Sequence, residues 1–205
     1  MHPEILSKEQ KELLPLIQQF KREFYLVGGT AIALQIGHRR SIDFDLFKLS
    51  NLNAAKTLKK IRDAKISYTI TRRVSEQINI LTNSVKFTFF QYPYAIDAKV
   101  EFENCLRMPN LLTLAAMKAY ALGHRSKWKD YVDLYFLLRG HCMLNEVANK
   151  ADILFGQMFS QKLFRSQLAF HKDIDFSEPV EFLPGFEVEE KTVKEFLIDV
   201  ALQDN

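Results

Sequence analysis

The chain has 205 residues, 47% of them hydrophobic and 26% charged, with 17 Phe against a single Trp. That is enough apolar material to bury a core in one domain or two small ones, while 7 Gly and 6 Pro leave little room for a disordered linker. No apolar run reaches the ~18 residues of a membrane span and the N-terminus lacks a signal peptide's apolar stretch, so a soluble, cytoplasmic protein with no membrane partner is expected. Cys105 and Cys142 stand outside any metal-ligand spacing and read as reduced core thiols. The charge is uneven: residues 1–172 carry 26 Lys/Arg against 15 Asp/Glu, and residues 173–205 carry 2 against 10. A basic body suits a polyanionic ligand; the acidic end reads as an ordinary solvated tail or as a segment lying over basic residues.

In chain order, Ser7-Lys8-Glu9-Gln10 predicts a capping box and an amphipathic helix with Leu13, Ile17, Phe20 and Phe24 on its apolar side. Pro15 argues for a break or restart within it. A strand is expected over 24–27, a short helix over 30–36 and a second strand over 42–47. Asn53 is a candidate cap for a helix through Ala64, with Lys56, Lys59, Lys60 and Arg62 as a solvated stripe. Three β-rich runs follow, at 66–74, 77–82 and 85–91, with a hairpin turn at Asn83-Ser84. From Asn110 the period turns helical, giving helices near 110–122, 127–138, 144–155, 161–172 and 189–203. The expectation is an α+β protein: a small mixed β-sheet core with flanking helices over 1–107, then a helical C-terminal bundle, 108–205, packed on that core.

The stretch most suggestive of chemistry is 25–47. An apolar run meets Gly28-Gly29-Thr30 where a helix opens, so close backbone approach and free N–H groups favour an anion there, and Thr30 adds a hydroxyl. Asp43 and Asp45 alternate along the next strand and so share a face. Like-charge repulsion between two such carboxylates is relieved by a hard cation such as Mg²⁺, which takes one or two carboxylates plus phosphate oxygens. The bland alternative is a tight turn beside a solvated strand face. His38, Arg39 and Arg40, on the turn before the acids, read equally as surface or as contacts for a polyanion.

Gly28-Gly29-Thr30, twelve intervening residues and Asp43-Phe44-Asp45 resemble the nucleotidyltransferase superfamily that includes DNA polymerase β. The longer string from Gly28 to Phe47 resembles the AbiEii/AbiGii toxin family, and the segment from Met117 to Leu138 is similar to that family's second signature. The resemblance implies a nucleotidyltransferase core and an Mg²⁺-dependent enzyme moving NMP from an NTP to an acceptor hydroxyl, with a tRNA 3′ end or another RNA as acceptor and a cognate antitoxin as partner. It implies catalytic roles for Asp43, Asp45, Lys118 and Asp130, metal ligation by Asp43 and Asp45, and nucleotide binding by Gly28, Gly29, Thr30, Lys118, Arg125 and Lys129. Read without the resemblance, Lys118 is equally a lysine running its stem along a core, and Lys129 with Asp133 a helix-surface pair.

One departure stands out. The family places a third carboxylate in a Lys-x-Asp pattern; here the stretch is Lys86-Phe87-Thr88, and threonine is neutral and a poor metal ligand. Asp97, Glu101 or Glu103 could fold back to supply the acid. Otherwise the chain is a catalytically impaired nucleotide-binding module, and a phosphotransferase acting on a protein hydroxyl is a further alternative.

Overall fold

Alternation of apolar and half-polar residues dictates the sheet. The computed structural model describes residues 1–203 and resolves into two compact units, Met1–Asn110 and Leu111–Asn205; of the acidic end, positions 204–205 lie outside the described residues. In the first unit a one-turn 3-10 helix, Pro3–Ile5, precedes α1 (Lys8–Gln18), β1 (Tyr25–Val27), α2 (Gly28–Ile36), β2 (Phe44–Lys48), α3 (Ala54–Asp63), β3 (Thr69–Arg73), β4 (Gln77–Thr82), β5 (Val85–Gln91), β6 (Val100–Phe102) and β7 (Leu106–Met108). The five-stranded sheet runs β1-β2-β5-β4-β3; only β2 and β5 are parallel. β6 and β7 form a separate hairpin.

One face of the sheet is core. Leu26, Phe44, Leu46, Ile78, Ile80, Phe87 and Phe89 are at most 2% exposed, and Phe20 and Phe24 pack against the Phe89 ring at 4.9 and 5.4 Å. Burying each such side chain contributes about 1.5–3 kcal/mol. That explains why Pro15 does not break α1, contrary to the sequence expectation. It sits on the exposed side of the helix, while Leu13, Leu16 and Ile17 beside it are buried. The ~3 kcal/mol cost of an interior proline is outweighed. The capping box is present: Gln10 N donates to Ser7 Oγ at 3.2 Å and Ser7 N to Gln10 Oε1 at 3.0 Å. Asn53 caps α3 through Lys56 N at 2.9 Å.

Three of the four lysines and arginines expected to be a solvated stripe on α3 instead make ion pairs. Lys56 and Lys60 meet Glu23 at 3.0 and 2.8 Å, joining α3 to the turn before β1, and Lys59 pairs with Asp63 at 2.6 Å. Lys60, Lys56 and their charges hold the Glu23 carboxyl down to about 2. The β6–β7 hairpin was not anticipated; its turn uses Glu103 and Asn104 at φ +47° and +52° with no glycine to announce it. Both cysteines are free and buried, and burial raises both thiols, Cys142 to about 11.

The second unit is helical: α4 (Leu111–Leu122), α5 (Trp128–Gly140), α6 (Leu144–Phe155), a 3-10 turn at Gly156–Met158, α7 (Gln161–Ala169) and α8 (Glu190–Leu202). Tyr120 of α4 stacks on Phe155 of α6 at 4.2 Å, and Tyr135 of α5 meets Phe196 of α8 at 5.1 Å. The architecture is the mixed α+β one expected, a mixed sheet followed by a helical region. Among the described residues no helix is long and apolar enough to cross a membrane.

Candidate active site

The first group of site residues lies where β1 gives way directly to α2. Gly28 is itself the first residue of α2, at φ +72°, a conformation in which other residues are strained. A Cβ there would lie 2.5 Å from Asp45 Oδ2, and one on Gly29 would lie 2.4 Å from Arg39 Nη2 and 3.1 Å from Ser41 Oγ. The glycine pair therefore lets a carboxylate and a guanidinium approach the backbone at the start of a nine-residue helix. Arg39 is 4% exposed and donates from Nη1 to the Arg40 carbonyl at 2.9 Å. His38 is also buried, while Arg40 is exposed and donates to the Glu4 carbonyl.

The acids are held by a set of bonds that the sequence did not disclose. The Thr30 hydroxyl donates to the Asp43 carbonyl and lies 2.9 Å from Ser41 Oγ, so it braces the segment leading into β2. Gln10, fully buried, donates from Nε2 to the Ser41 carbonyl at 2.9 Å. The capping box made Gln10 legible as a helix cap; its second bond, to a residue 31 positions away, depends on the fold. Asp43 lies one residue before β2 and Asp45 within it, both half-buried. Asp45 is in register with Val27 on one side and Thr88 on the other. Thr88 thus stands beside Asp45 on the neighbouring strand and same face. Among the described residues no group of three His, Cys, Asp or Glu could hold a metal ion. Asp97, Glu101 and Glu103 therefore do not complete the pair: Asp97 bonds Lys99 at 2.8 Å, and Glu101 sits in the β6–β7 hairpin opposite Arg107.

The second group lies in the helical unit. Lys118 of α4 is 5% exposed and its ammonium is shared between two fully buried carboxylates of α5, Asp130 and, at 2.8 Å, Asp133. Asp133 therefore pairs inward with Lys118, not along the surface with Lys129. Arg125, about half exposed, grips Asp130 with two bonds, Nε to Oδ2 at 2.8 Å and Nη2 to Oδ1 at 3.3 Å. Burial alone would raise the Asp130 carboxyl, but the charges and hydrogen bonds of Lys118 and Arg125 outweigh it and hold it below the usual value. Lys129 and Lys127 are both paired with Glu178. The segment carrying Glu178 docks by backbone bonds as well: Asp175 N donates to the Ser126 carbonyl at 2.7 Å and Trp128 N to the Asp175 carbonyl at 2.9 Å. Part of the acidic end is thus tied to the basic turn before α5.

Comparison with known proteins gives this arrangement a context. The sequence profile of the nucleotidyl transferase AbiEii toxins, of Type IV toxin–antitoxin systems, matches residues 16–203. The chain belongs to the AbiEii nucleotidyltransferase toxin family. It is also 32% identical over 145 residues to an uncharacterized protein of Aquifex aeolicus, covering 66% of this chain and 68% of that one. Among solved structures it resembles MenT4, a nucleotidyltransferase toxin of Mycobacterium tuberculosis, with a TM-score of 0.64 at 14% identity over 94% of this chain and 80% of the other. A Helicobacter pylori protein matches with a TM-score of 0.58 at 16% identity, over 96% and 91% of the two chains. Those structural likenesses bear on the fold; the family match makes this AbiEii protein a nucleotidyltransferase of the toxin type.

Proposed function

We propose that the enzyme transfers NMP from an NTP to an acceptor hydroxyl with Mg²⁺, the acceptor being an RNA 3′ end such as that of tRNA, and that a cognate antitoxin neutralises it in the cytoplasm. The observation that carries this reading is the Asp45 carboxylate seated against Gly28 at the opening of α2, with Asp43 two residues before it. The donor set fits Mg²⁺, which takes one or two carboxylates and completes its octahedron with water and substrate oxygens. Asp43 and Asp45 would hold the ion. When bound, it would offset charge on the triphosphate as pyrophosphate leaves.

The protein's own contribution is positioning and charge. We assign the phosphates to the opening of α2, where Gly28 and Gly29 admit the Asp45 carboxylate and the Arg39 guanidinium close to the backbone and Thr30 fixes the Asp43 main chain. In the helical unit we assign phosphate contacts to Arg125 and Lys129. Asp130 fixes the Arg125 fork, and Lys118, with its ammonium between two buried acids, acts by holding Asp130 in place. Lys129 becomes available when Glu178 yields.

The test is incubation with Mg²⁺, α-labelled triphosphates and total RNA, comparing wild type with Asp43→Ala/Asp45→Ala. Label on RNA from wild type alone is expected; equal labelling by both proteins removes the assignment. Thr88 favours a second reading, a module that binds triphosphate but turns it over slowly, since loss of a general base costs roughly 10²–10⁴-fold in rate. Tight Mg²⁺-dependent binding in calorimetry without turnover would select it. Transfer of γ- in place of α-label onto a protein hydroxyl would select phosphotransfer.

A further inference from the structure

The sheet face opposite the core carries a continuous cross-strand row: Asp45 of β2, Thr88 of β5, Asn79 of β4 and Arg72 of β3 are successive register partners. Register partners share a face, and strands lie about 4.8 Å apart, so Arg72 stands roughly 14 Å from Asp45 along one line. Lys86 precedes Phe87, the partner of Phe44, and so flanks the level of Asp43 on the same face. The outer strands are basic: residues 65–91 hold Lys65, Arg72, Arg73 and Lys86 against one acid, Glu76. Arg72 and Lys86 are exposed, and among the described residues neither has a salt bridge. That sets them apart from Lys56, Lys59, Lys60, Lys127, Lys129, Lys191 and Lys194, each held by a carboxylate. Gln77 donates from Nε2 to Asn79 Oδ1 at 2.8 Å, so the Asn79 oxygen is the acceptor and its NH₂ the donor end.

The geometry points to this outer half of the sheet as the bed for the acceptor, a single strand of RNA whose backbone phosphates lie on Arg72 and Lys86 and whose sugar or base edge meets Asn79, with its terminal hydroxyl delivered beside Thr88 and Asp45. The assignment rests on the transferase reading above. Charge complementarity selects the occupant: Arg72 and Lys86 are exposed and, among the described residues, without a salt bridge, and Glu76, whose carboxyl feels the Arg72 charge, is the one acid of this segment, so the balance suits a polyanion. The strand runs across the sheet because the row leads from Arg72, just past a bulge in β3, through half-buried Asn79 and buried Thr88 to Asp45, with Lys86 alongside.

The experiment measures binding of a short fluorescein-labelled single-stranded oligoribonucleotide by anisotropy over a salt series, for wild type, Arg72→Glu/Lys86→Glu and the milder Arg72→Gln/Lys86→Gln. Both sites are exposed, and matched circular dichroism and Tm verify folding. Charge reversal is expected to weaken binding at least about tenfold, and either variant to reduce the salt slope by about 1.4, the value for two lost contacts on a single strand. Triphosphate binding by calorimetry should stay at its wild-type level. Unchanged oligonucleotide affinity and slope overturn the proposal, as does a wild type that binds no oligonucleotide at low salt or binds duplex RNA equally well. The triphosphate arm separates the two failures: if Asp43→Ala/Asp45→Ala leaves Mg²⁺-dependent triphosphate binding intact, the transferase reading fails and the acceptor role falls with it, whereas an unchanged oligonucleotide affinity beside lost triphosphate binding overturns the acceptor bed alone.

Discussion

Single residues at this site act through what they touch. Thr88 has the place beside Asp45 that a third carboxylate would need, so Thr88→Asp should raise NMP transfer by about 10²-fold or more if general-base assistance is what the chain lacks. A fall in kcat with unaltered Mg²⁺ dependence would count against that view. Lys118 is a different case. Its ammonium lies between two carboxylates with no solvent exposure, and removing one partner of a buried pair leaves charge uncompensated at about 3–5 kcal/mol. Lys118→Met should therefore lower stability by that order in urea denaturation, and activity lost with it reflects the collapse of the Asp130–Arg125 fork. A variant of full stability would show that the pairing carries little energy. Gly28→Ala combines a left-handed backbone with a Cβ 2.5 Å from Asp45 Oδ2, so transfer should fall more than stability does.

At the scale of elements, two acidic side chains tie pieces together. Glu23 receives Lys56 and Lys60 from α3, and its carboxyl is depressed from 4.5 to about 2. A depressed folded-state value means stabilisation that is complete above the unfolded value and fades as pH falls from about 4.5 through about 2. Glu23→Gln should cost about 1 kcal/mol at pH 7, discounted for its partial exposure, with the gap to wild type closing toward pH 2; a gap independent of pH would refute the pairing as its cause. Glu178 plays a similar part on the turn before α5, holding Lys127 and Lys129. Glu178→Gln should raise affinity for a polyanion such as heparin a few-fold at low salt, read by calorimetry, and no change would mean the lysines are already accessible. Deleting the whole acidic end is the poorer experiment, because α8 contributes buried Val193 and Leu197.

Across the whole molecule, what was legible depended on the range of the interaction. Composition, the 2- and 3.6-residue periods, the capping box and the glycine–acid spacing are local, and from them came the α+β order, the strands 77–82 and 85–91 at their observed limits, and the family. Pro15 misled because propensity is a local rule and the burial of Leu13, Leu16 and Ile17 is not. The β6–β7 hairpin escaped because three-residue strands carry too little alternation to stand out. The sequence by itself determined which groups could do chemistry: two acids, a glycine turn, a set of cations and a threonine where an acid was expected. Tertiary structure alone decided how they are used. It put Thr88 next to Asp45, closed Lys118 between Asp130 and Asp133, and set Arg72 in line with Asn79 and Thr88, since strand register and helix docking bring together residues whose spacing along the chain holds no record of that meeting.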